Sequence, residues 1–320
     1  MGDAGSRSRE LLVKAARMYF LDGRPQDDIA RVLGTSRSNV SRMLRAAREL
    51  GIVEIRIQDE HDRAGDLEQA LAEWFGLAHV RVAMFHPHQD ATAAAGELAA
   101  DWLDLTLRDG QVVGLSGGAA LRAVVSAVSV DTSRRVEVVP LVGALTAGGA
   151  LDAGQELVRE LAGRLGASYR YLLGPALLQS GTVRAALLAE PSIGRVVARA
   201  RSADVALVGI GAVDSAVTAA VLRGLDLTEA ERRAFLVQNP VGETCCRFFD
   251  AAGRRITGAV HDRVLAVDLD DLRRIPTVIG VATGAERTAA VLGALRGGLV
   301  DGLVTDATLA HAVLTAEGVL

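Results

Sequence analysis

The sequence predicts an α/β protein of two domains: a small helical domain over residues 1–58 and a larger domain over 59–320 built on a mostly parallel sheet. From about residue 79, segments rich in valine and isoleucine alternate with helical segments, as in parallel strands joined by helices. The 34 glycines suit the tight turns of such units. Of the 35 basic and 39 acidic residues, the first 58 positions hold eleven and seven, so a basic domain precedes an acidic one.

Composition narrows the class of protein further. No run of about 18 uncharged apolar residues is present, and the first ten residues lack the apolar core of a signal peptide. The two cysteines, Cys245 and Cys246, are adjacent, and such neighbours rarely form a disulfide with each other. Two ligands alone also make no zinc site. We therefore expect a cytoplasmic, reduced protein that needs no metal or other cofactor.

Three short helices are predicted in the small domain. The first covers 8–21, where apolar residues recur at helical spacing. Pro25 suits the first position of a second helix, and Gly34 can take the left-handed conformation that ends it. Thr35 or Ser36 then caps the third helix. The buried face of that helix is predicted to be Val40, Met43, Leu44 and Ala47.

This arrangement is a helix-turn-helix, whose second helix enters the DNA major groove. Small polar residues at its start can approach base edges. Arg37 and Arg42 can contact guanine or phosphate, whereas Arg45 and Arg48 lie further along the helix and suit contacts to the DNA backbone. The alternative is a three-helix bundle with a solvated basic face used for protein contacts. The predicted DNA-contacting residues are Gln26, Ser36, Arg37, Ser38, Asn39, Ser41, Arg42 and Arg45.

The joint between the domains is predicted from a change of pattern. Gly51 ends the third helix, and residues 52–57 alternate like a strand, typical of a small wing. Residues 59–65 are charged and read as a hinge. An apolar helical face follows, formed by Leu67, Leu71, Trp74 and Phe75, which would pack on its own domain or against a second protomer.

The larger domain reads as repeated strand and helix units around a parallel sheet. In such sheets ligands bind at the carboxyl ends of the strands. The predicted strands lie at about 79–84, 111–116, 135–142, 168–173, 204–210, 277–282 and 300–305, with a strand-rich stretch at 242–267, and the predicted helices at 92–108, 118–129, 153–165, 228–238, 286–296 and from 308.

The most informative strand end is the loop 114–121, sequence GLSGGAAL. Its glycines and the start of a helix predict an anion-binding cradle, to which Ser116 adds a hydroxyl. A tight turn without a ligand is one alternative. The loop also fits the G-x-S-x-G elbow of a hydrolase, but only His261 and His311 follow Ser116, and neither lies in an obvious glycine-rich loop after a strand.

Two other motifs point to weaker sites. The run 209–214, GIGAVD, starts like a dinucleotide fingerprint but lacks the third glycine, which favours a turn that approaches a ligand at Gly211. The residues 86–88, HPH, could form half a metal site, although two histidines in a proline loop are more typical of a solvated loop.

Several of these motifs together resemble the SorC family, bacterial transcriptional regulators that respond to sugars. In the small domain the resemblance rests on 26–30 (QDDIA), 33–37 (LGTSR), 40–42 (VSR), 47–48 (AR) and 51–53 (GIV). In the larger domain it rests on 136–142 (VEVVPLV), 203–211 (ADVALVGIG), 241–243 (VGE), 248–250 (FFD), 280–284 (GVATG), 293–298 (GALRGG) and 305–306 (TD).

The resemblance implies a Rossmann-like domain with the fold of sugar-phosphate isomerases and deaminases, and an effector site where those enzymes have an active site. Ser116, Gly117 and Gly118 would hold an effector phosphate, and Glu243 would accept hydrogen bonds from sugar hydroxyls. Arg287 stands where the family usually has lysine, which keeps the charge and excludes Schiff-base chemistry. The remaining expected effector contacts are Gln155, Gly211 and Asp306, the last of which would otherwise cap a helix.

These inferences predict a DNA-binding regulator that binds operator DNA and a small effector, most simply a phosphorylated sugar. Family members act as oligomers, usually tetramers, which the resemblance implies here. Two alternatives remain: an isomerase- or deaminase-type enzyme using Glu243 and Asp306, and a DNA-binding oligomer without a ligand.

Overall fold

The computed structural model describes residues 3–53, 63–85, 90–130, 134–145 and 153–320. The chain divides into two compact units, 1–59 and 60–320. Most of the predicted wing strand and the histidines of the 86–88 motif lie outside the described residues. Among the described helices, none is both long enough and apolar enough to cross a membrane.

The smaller unit is a three-helix bundle. Helix α1 (Asp3–Ala16) continues as a π-helical turn (Arg17–Leu21), and α2 (Gln26–Leu33) and α3 (Arg37–Glu49) follow. Gly34 ends α2 in the left-handed conformation, at φ +63°. Pro25 is the residue before α2 instead of its first helical residue, a shift of one position from the prediction. The core of this bundle is formed by Ala15, Met18, Ile29, Ala30, Val40 and Leu44.

The larger unit contains two sheets and their covering helices. Its strands are β1 (His79–Ala83), β2 (Val112–Leu115), β3 (Glu137–Pro140), β4 (Ser168–Tyr169), β5 (Val205–Gly209), β6 (Gly211–Ala212), β7 (Pro240–Thr244), β8 (Arg247–Asp250), β9 (Thr277–Val281) and β10 (Gly302–Asp306). Its helices are α4 (Gly65–Phe75), α5 (Ala91–Thr106), α6 (Ala119–Ala127), α7 (Ala153–Leu165), α8 (Gly181–Ala189), α9 (Pro191–Arg201), α10 (Ala216–Gly224), α11 (Glu229–Leu236), α12 (Ala259–Asp262), α13 (Leu269–Leu272), α14 (Thr288–Arg296) and α15 (Ala307–Ala316).

The main sheet has seven parallel strands in the order β1-β10-β9-β5-β2-β3-β4, which confirms the predicted mostly parallel sheet. Helices α5, α6 and α7 cover one face, and α4, α14 and α15 pack against the other. Both faces are therefore buried, which explains the near-continuous apolar strands. A separate antiparallel sheet, β6-β7-β8, stands beside the main sheet.

Three parts of the larger unit differ from the sequence prediction. Helices α8 and α9 occupy 181–201, and α10 occupies 216–224, where no element was predicted. Helix α8 buries none of its residues fully, and Leu187 and Leu188 only partly cover a small apolar cluster, so its apolar pattern is weak. The strand-rich stretch 242–267 is a hairpin followed by loops, isolated bridges and the short helix α12.

Helix α4 packs on its own unit, the first of the two predicted alternatives, while Trp74 of the predicted face is 53% exposed. Leu67 and Leu71 are buried in the core of the larger unit. Glu68 accepts a hydrogen bond from the backbone N–H of Val82 at 2.9 Å and another from Nε of Arg63 at 2.9 Å. The carboxylate of Glu68 thereby accepts from a backbone donor of the edge strand β1 and links α4 and Arg63 to that strand.

A buried arginine holds the hairpin β7–β8 to the following chain. The side chain of Arg247 is fully buried and forms an ion pair with Asp268 at 2.9 Å. Burial lowers the pKa of Arg247 to about 10, and the neighbouring Asp268 acts against this shift. The guanidinium also donates hydrogen bonds to the carbonyl oxygens of His261, Val264, Ala266 and Val267, at 2.6–3.2 Å.

We expect Arg247→Met to lower the free energy of unfolding by about 3–5 kcal/mol, because it removes one of the two arginine partners of the half-buried Asp268 and leaves several buried carbonyl groups without their donor. Urea unfolding followed by circular dichroism measures this. The control is Arg254→Met, whose side chain is 81% exposed and pairs with Asp250, and which should cost less than about 1 kcal/mol. Equal effects of the two substitutions would contradict the prediction.

Candidate functional site

The main pocket of the larger unit lies at the carboxyl ends of β2, β5 and β9. These strands are neighbours in the sheet, so their following loops meet at one edge. The described residues around the pocket enclose about 190 Å³. Six of the eight predicted effector residues line it: Ser116, Gly117, Gly118, Gly211, Glu243 and Arg287.

The loop after β2 forms one wall of the pocket. Ser116 is buried, and its hydroxyl oxygen accepts a hydrogen bond from the backbone N–H of Gly209 at 3.2 Å, which leaves the hydroxyl proton available for donation. Gly118 has φ +112°, a conformation that disfavours any side chain. Helix α6 starts at the next residue, and N–H groups in its first turn have no partner within the helix. This wall can therefore bind an anion.

Glu243 reaches the pocket from the antiparallel sheet. It pairs with Gly211 across β6 and β7, and its carboxylate lies directly over that glycine. A Cβ atom at residue 211 would come within 2.6 Å of Oε1 of Glu243. Burial raises the pKa of Glu243 to about 7, while a hydrogen bond from the backbone N–H of Cys246, at 3.1 Å, acts in the opposite direction. The group can thus accept or donate a hydrogen bond near neutral pH.

The turn Cys245-Cys246 contributes two pocket residues that sequence reasoning missed. Both have positive φ, +52° and +58°, as a two-residue hairpin loop between β7 and β8 requires. Both are buried, and burial raises the pKa of the Cys245 thiol to about 12, so this thiol is neutral. Asn-Gly or Asp-Gly would have signalled such a turn, whereas two cysteines do not.

Arg287 lies at the pocket wall in the loop between β9 and α14. Its side chain is partly exposed, donates a hydrogen bond to the carbonyl of Thr283 and pairs with Glu286. Thr283 in turn bonds Thr92 of α5, hydroxyl to hydroxyl at 3.0 Å, and both threonines line the pocket without having been predicted. The guanidinium is therefore positioned beside the pocket while keeping part of its surface in solvent.

Two predicted effector residues, Gln155 and Asp306, do not line the pocket, and their side chains form hydrogen bonds within the fold. Gln155 donates to the carbonyl of Val142 at 3.1 Å and accepts from the N–H of Leu172 at 2.9 Å, so its amide joins two backbone segments. Asp306 is buried and caps α15: one oxygen accepts from Thr308 and Leu309, and the other from Gly284 at 2.6 Å.

These positions also bear on the enzymatic alternatives. His261 contacts Arg247 and Asp268, and His311 is an exposed residue of α15; neither lines the pocket. The hydrolase arrangement around Ser116 therefore lacks a base among the described residues. Asp306 is engaged as a cap and does not face Glu243 across the pocket. Within the described ranges, no three His, Cys, Asp or Glu residues are grouped as metal ligands.

The smaller unit presents the predicted polar face of α3 to solvent. Ser36 caps α3 by accepting a hydrogen bond from the N–H of Asn39 at 3.2 Å. Arg37 lies 3.9 Å from Asp27, and neither Arg42 nor Arg45 has an ion pair with any residue in the described ranges. The remaining predicted residues are exposed or half-buried: Gln26, Ser36, Ser38, Asn39 and Ser41.

Comparison with known proteins identifies the family. Residues 59–315 match the Sugar-bind family of sugar-binding domains. The chain is 33% identical over 315 residues to the transcriptional regulator LsrR of Enterobacter sp. (strain 638), covering 97% of this chain and 94% of the relative. The deoxyribonucleoside regulator of Bacillus subtilis is 31% identical over 309 residues, with coverage of 96% and 97%. The crystal structure of the full-length sorbitol operon regulator SorC from Klebsiella pneumoniae aligns with a TM-score of 0.77 at 30% identity, with coverage of 96% and 98%. The chain belongs to the SorC family.

Membership of the SorC family confirms the predicted class of protein, an effector-responsive, DNA-binding transcriptional regulator. It also confirms the predicted fold. The relatives are named as regulators, which favours a role other than catalysis. In the SorC-family chain described here, the pocket at the strand ends is thus a candidate effector site, and the face of α3 is a candidate DNA-binding surface.

We expect Glu243 to contribute stability that this SorC-family protein loses as pH rises from about 4.5 to about 7. In this window the folded state keeps the proton on Glu243, whose pKa is about 7, while the unfolded chain has released it near 4.5. Above about pH 7 this contribution of Glu243 to the free energy of unfolding is fully lost, and the loss amounts to about 3 kcal/mol at most.

Glu243→Gln should remove this component, so the variant should be more stable than the wild type at pH 8 and similar at pH 5. Thermal and urea unfolding across pH 5–8 measure the difference. Glu286→Gln makes the same chemical change on a side chain that is 63% exposed, and should leave the profile unchanged. A Glu243→Gln profile parallel to the wild type would refute the assignment.

Proposed function

We propose that a phosphorylated sugar, or a related phosphorylated metabolite, binds the pocket at the strand ends and alters the affinity of the small unit for double-stranded operator DNA. The observation that carries this proposal is the combination of chemically different groups in one pocket. The anion-binding loop Ser116–Gly118 and the cation Arg287 line the same pocket as the carboxyl group of Glu243.

The division of labour follows from the chemistry of each group. A phosphate suits the N-terminus of α6, because unpaired N–H groups and the helix dipole both favour an anion there. Arg287 adds a planar fork of donors that matches phosphate oxygens. Glu243 can exchange hydrogen bonds with hydroxyl groups, and Gly211 leaves the space that the carboxylate needs. Apolar residues between these groups exclude water: Val142, Ile210, Val221 and Val281.

On the DNA side, we propose that α3 enters the major groove. Its exposed arginines and small polar residues suit base edges and phosphates, and the charge of the small unit suits DNA. The proposed contacts are Gln26, Ser36, Arg37, Ser38, Asn39, Ser41, Arg42 and Arg45.

The protein would act in the cytoplasm as a homo-oligomer, with a tetramer as the family expectation, so that paired small units meet paired half-sites. The effector must bind two arrangements of the oligomer with different affinity. A coupling of about 1–3 kcal/mol would change operator affinity roughly 5- to 150-fold.

We further propose that the pocket binds its ligand without chemical turnover. Among the described residues that line it, Glu243 is the one carboxylic acid, and Asp306 is committed to capping α15. A proton transfer between two carbons of a sugar phosphate would lack the second acid-base group. Conversion of any sugar phosphate by the purified protein, followed by NMR, would count against this proposal.

Ser116→Asp should abolish binding of the phosphorylated effector, because the introduced carboxylate would repel the negative phosphate in the cradle. The measurement is thermal unfolding with a panel of sugar phosphates and the matching free sugars at millimolar concentration. A stabilising ligand of the wild type should have no effect on the variant, while DNA binding is retained.

The matched control is Ser180→Asp, which places the same charge at the N-cap of α8, outside the pocket lining. It should keep the ligand response. Ligand stabilisation of Ser116→Asp equal to that of the wild type would overturn the phosphate assignment. If no sugar phosphate stabilises the wild type, the ligand-free alternative is favoured.

Arg42→Ala should weaken binding to a duplex selected by the wild-type protein by about 1–3 kcal/mol if Arg42 contacts guanine. Fluorescence anisotropy at fixed salt measures the affinity. The control Arg31→Ala removes an exposed arginine of α2 that pairs with Asp28, and should have a smaller effect. Unchanged affinity and base preference for Arg42→Ala would exclude the proposed contact.

A further inference from the structure

A hydrogen bond at the start of the recognition helix fixes the side chain of Asn39. Nδ2 of Asn39 donates to Oγ1 of Thr35 at 2.8 Å, one turn earlier in the chain. Both residues are half-buried. The backbone N–H of Thr35 donates to the carbonyl of Ala30 at 2.9 Å, so the hydroxyl acceptor is itself anchored to α2. The amide of Asn39 is thereby held in one orientation before any DNA is bound.

The neighbouring hydroxyls have different tasks. Oγ of Ser36 accepts the capping hydrogen bond from the N–H of Asn39 at 3.2 Å and lies 2.9 Å from Oγ of Ser38. Ser36 therefore stabilises the helix start, and its hydroxyl is engaged on two sides. Thr35 is the residue whose side chain acts on the amide of Asn39 instead of on the helix backbone.

The orientation of the amide decides which base it matches. A primary amide has two N–H donors and one carbonyl acceptor. If the N–H trans to the amide oxygen is the one bonded to Thr35, the other N–H and the carbonyl remain side by side, a donor next to an acceptor. In the major groove, adenine presents the complementary pair, the N7 acceptor and the N6 amino donor, whereas guanine presents two acceptors. The fixed amide therefore matches adenine and leaves its oxygen facing O6 of guanine.

We propose that Thr35 is a positioning residue that orients the amide of Asn39 to read one adenine in the operator. The proposal rests on the DNA-binding role of α3. Holding the amide in place reduces the side-chain entropy lost on binding, so the hydroxyl contributes to affinity for the matched base without touching DNA.

The test uses the full-length protein and duplexes selected by the wild type from a randomised DNA library. Single base-pair substitutions then give the base preference at each position. Asn39→Ala should lose the preference for adenine at one position, by about 5- to 150-fold. Thr35→Val, which keeps the shape of the side chain but removes the hydroxyl, should reduce the preference at that same position. Thr35→Ser retains the hydroxyl and should preserve it.

Two further measurements separate positioning from a structural effect. The double variant Thr35→Val/Asn39→Ala should show no greater loss of base preference than Asn39→Ala alone. Affinity for unselected DNA and the melting temperature should be similar for Thr35→Val and Thr35→Ser. Failure of the wild type to bind any duplex would refute the DNA-binding role itself, a separate outcome.

Three results would overturn the proposal. One is a Thr35→Val variant with unaltered base preference. Another is equal weakening on every duplex, which indicates only a structural contribution. The third is a guanine preference at the position that depends on Asn39, because it requires the opposite orientation of the amide.

Discussion

The parallel pairing of β9, β5 and β2 is the constraint on which the pocket depends. Parallel neighbours end at the same edge of a sheet, so loops that are far apart in the sequence come together there. The register aligns Gly209 with Val281, and Leu207 with Leu115. As a result the cradle at Ser116 lies against the N–H of Gly209, and the loop of Arg287 borders the same space. The pocket proposed as the effector site is thus a consequence of strand order.

The antiparallel sheet β6-β7-β8 adds the carboxyl group of Glu243 to the pocket. A single hairpin carries Glu243 over Gly211, and the buried ion pair of Arg247 with Asp268 holds that hairpin to the chain that follows. Burying a carboxyl group costs free energy, which its raised pKa reflects. A ligand that forms hydrogen bonds with Glu243 would replace the water contacts that the carboxyl group loses on burial. The same hairpin carries the two cysteines in left-handed conformations.

There is a physical reason why some predicted effector residues line the pocket and others do not. Ser116, Gly118 and Arg287 lie in loops directly after strands, and their location follows from strand prediction. Gln155 and Asp306 were placed in the same class because they also stand at strand or helix ends. Asp306 caps α15, the alternative that the sequence also allows, and its second oxygen bonds the N–H of Gly284. The amide of Gln155 joins Val142 to Leu172, a pairing between separate segments that no local pattern reveals. Helix α9 was detectable from its proline start and apolar spacing, whereas α8 had no fully buried residue to signal it.

The sequence by itself determined the two-unit division of labour, the helix-turn-helix and the parallel sheet, because periodicity, caps and turn glycines are local properties. The tertiary structure alone decided which strand ends are neighbours, which polar side chains remain available to a ligand and which are used within the fold. These depend on contacts between residues that are far apart in the chain, from 22 positions for Gly284 with Asp306 to 191 positions for Thr92 with Thr283. A polar residue can contact a ligand only through the hydrogen-bonding capacity that the fold leaves unused.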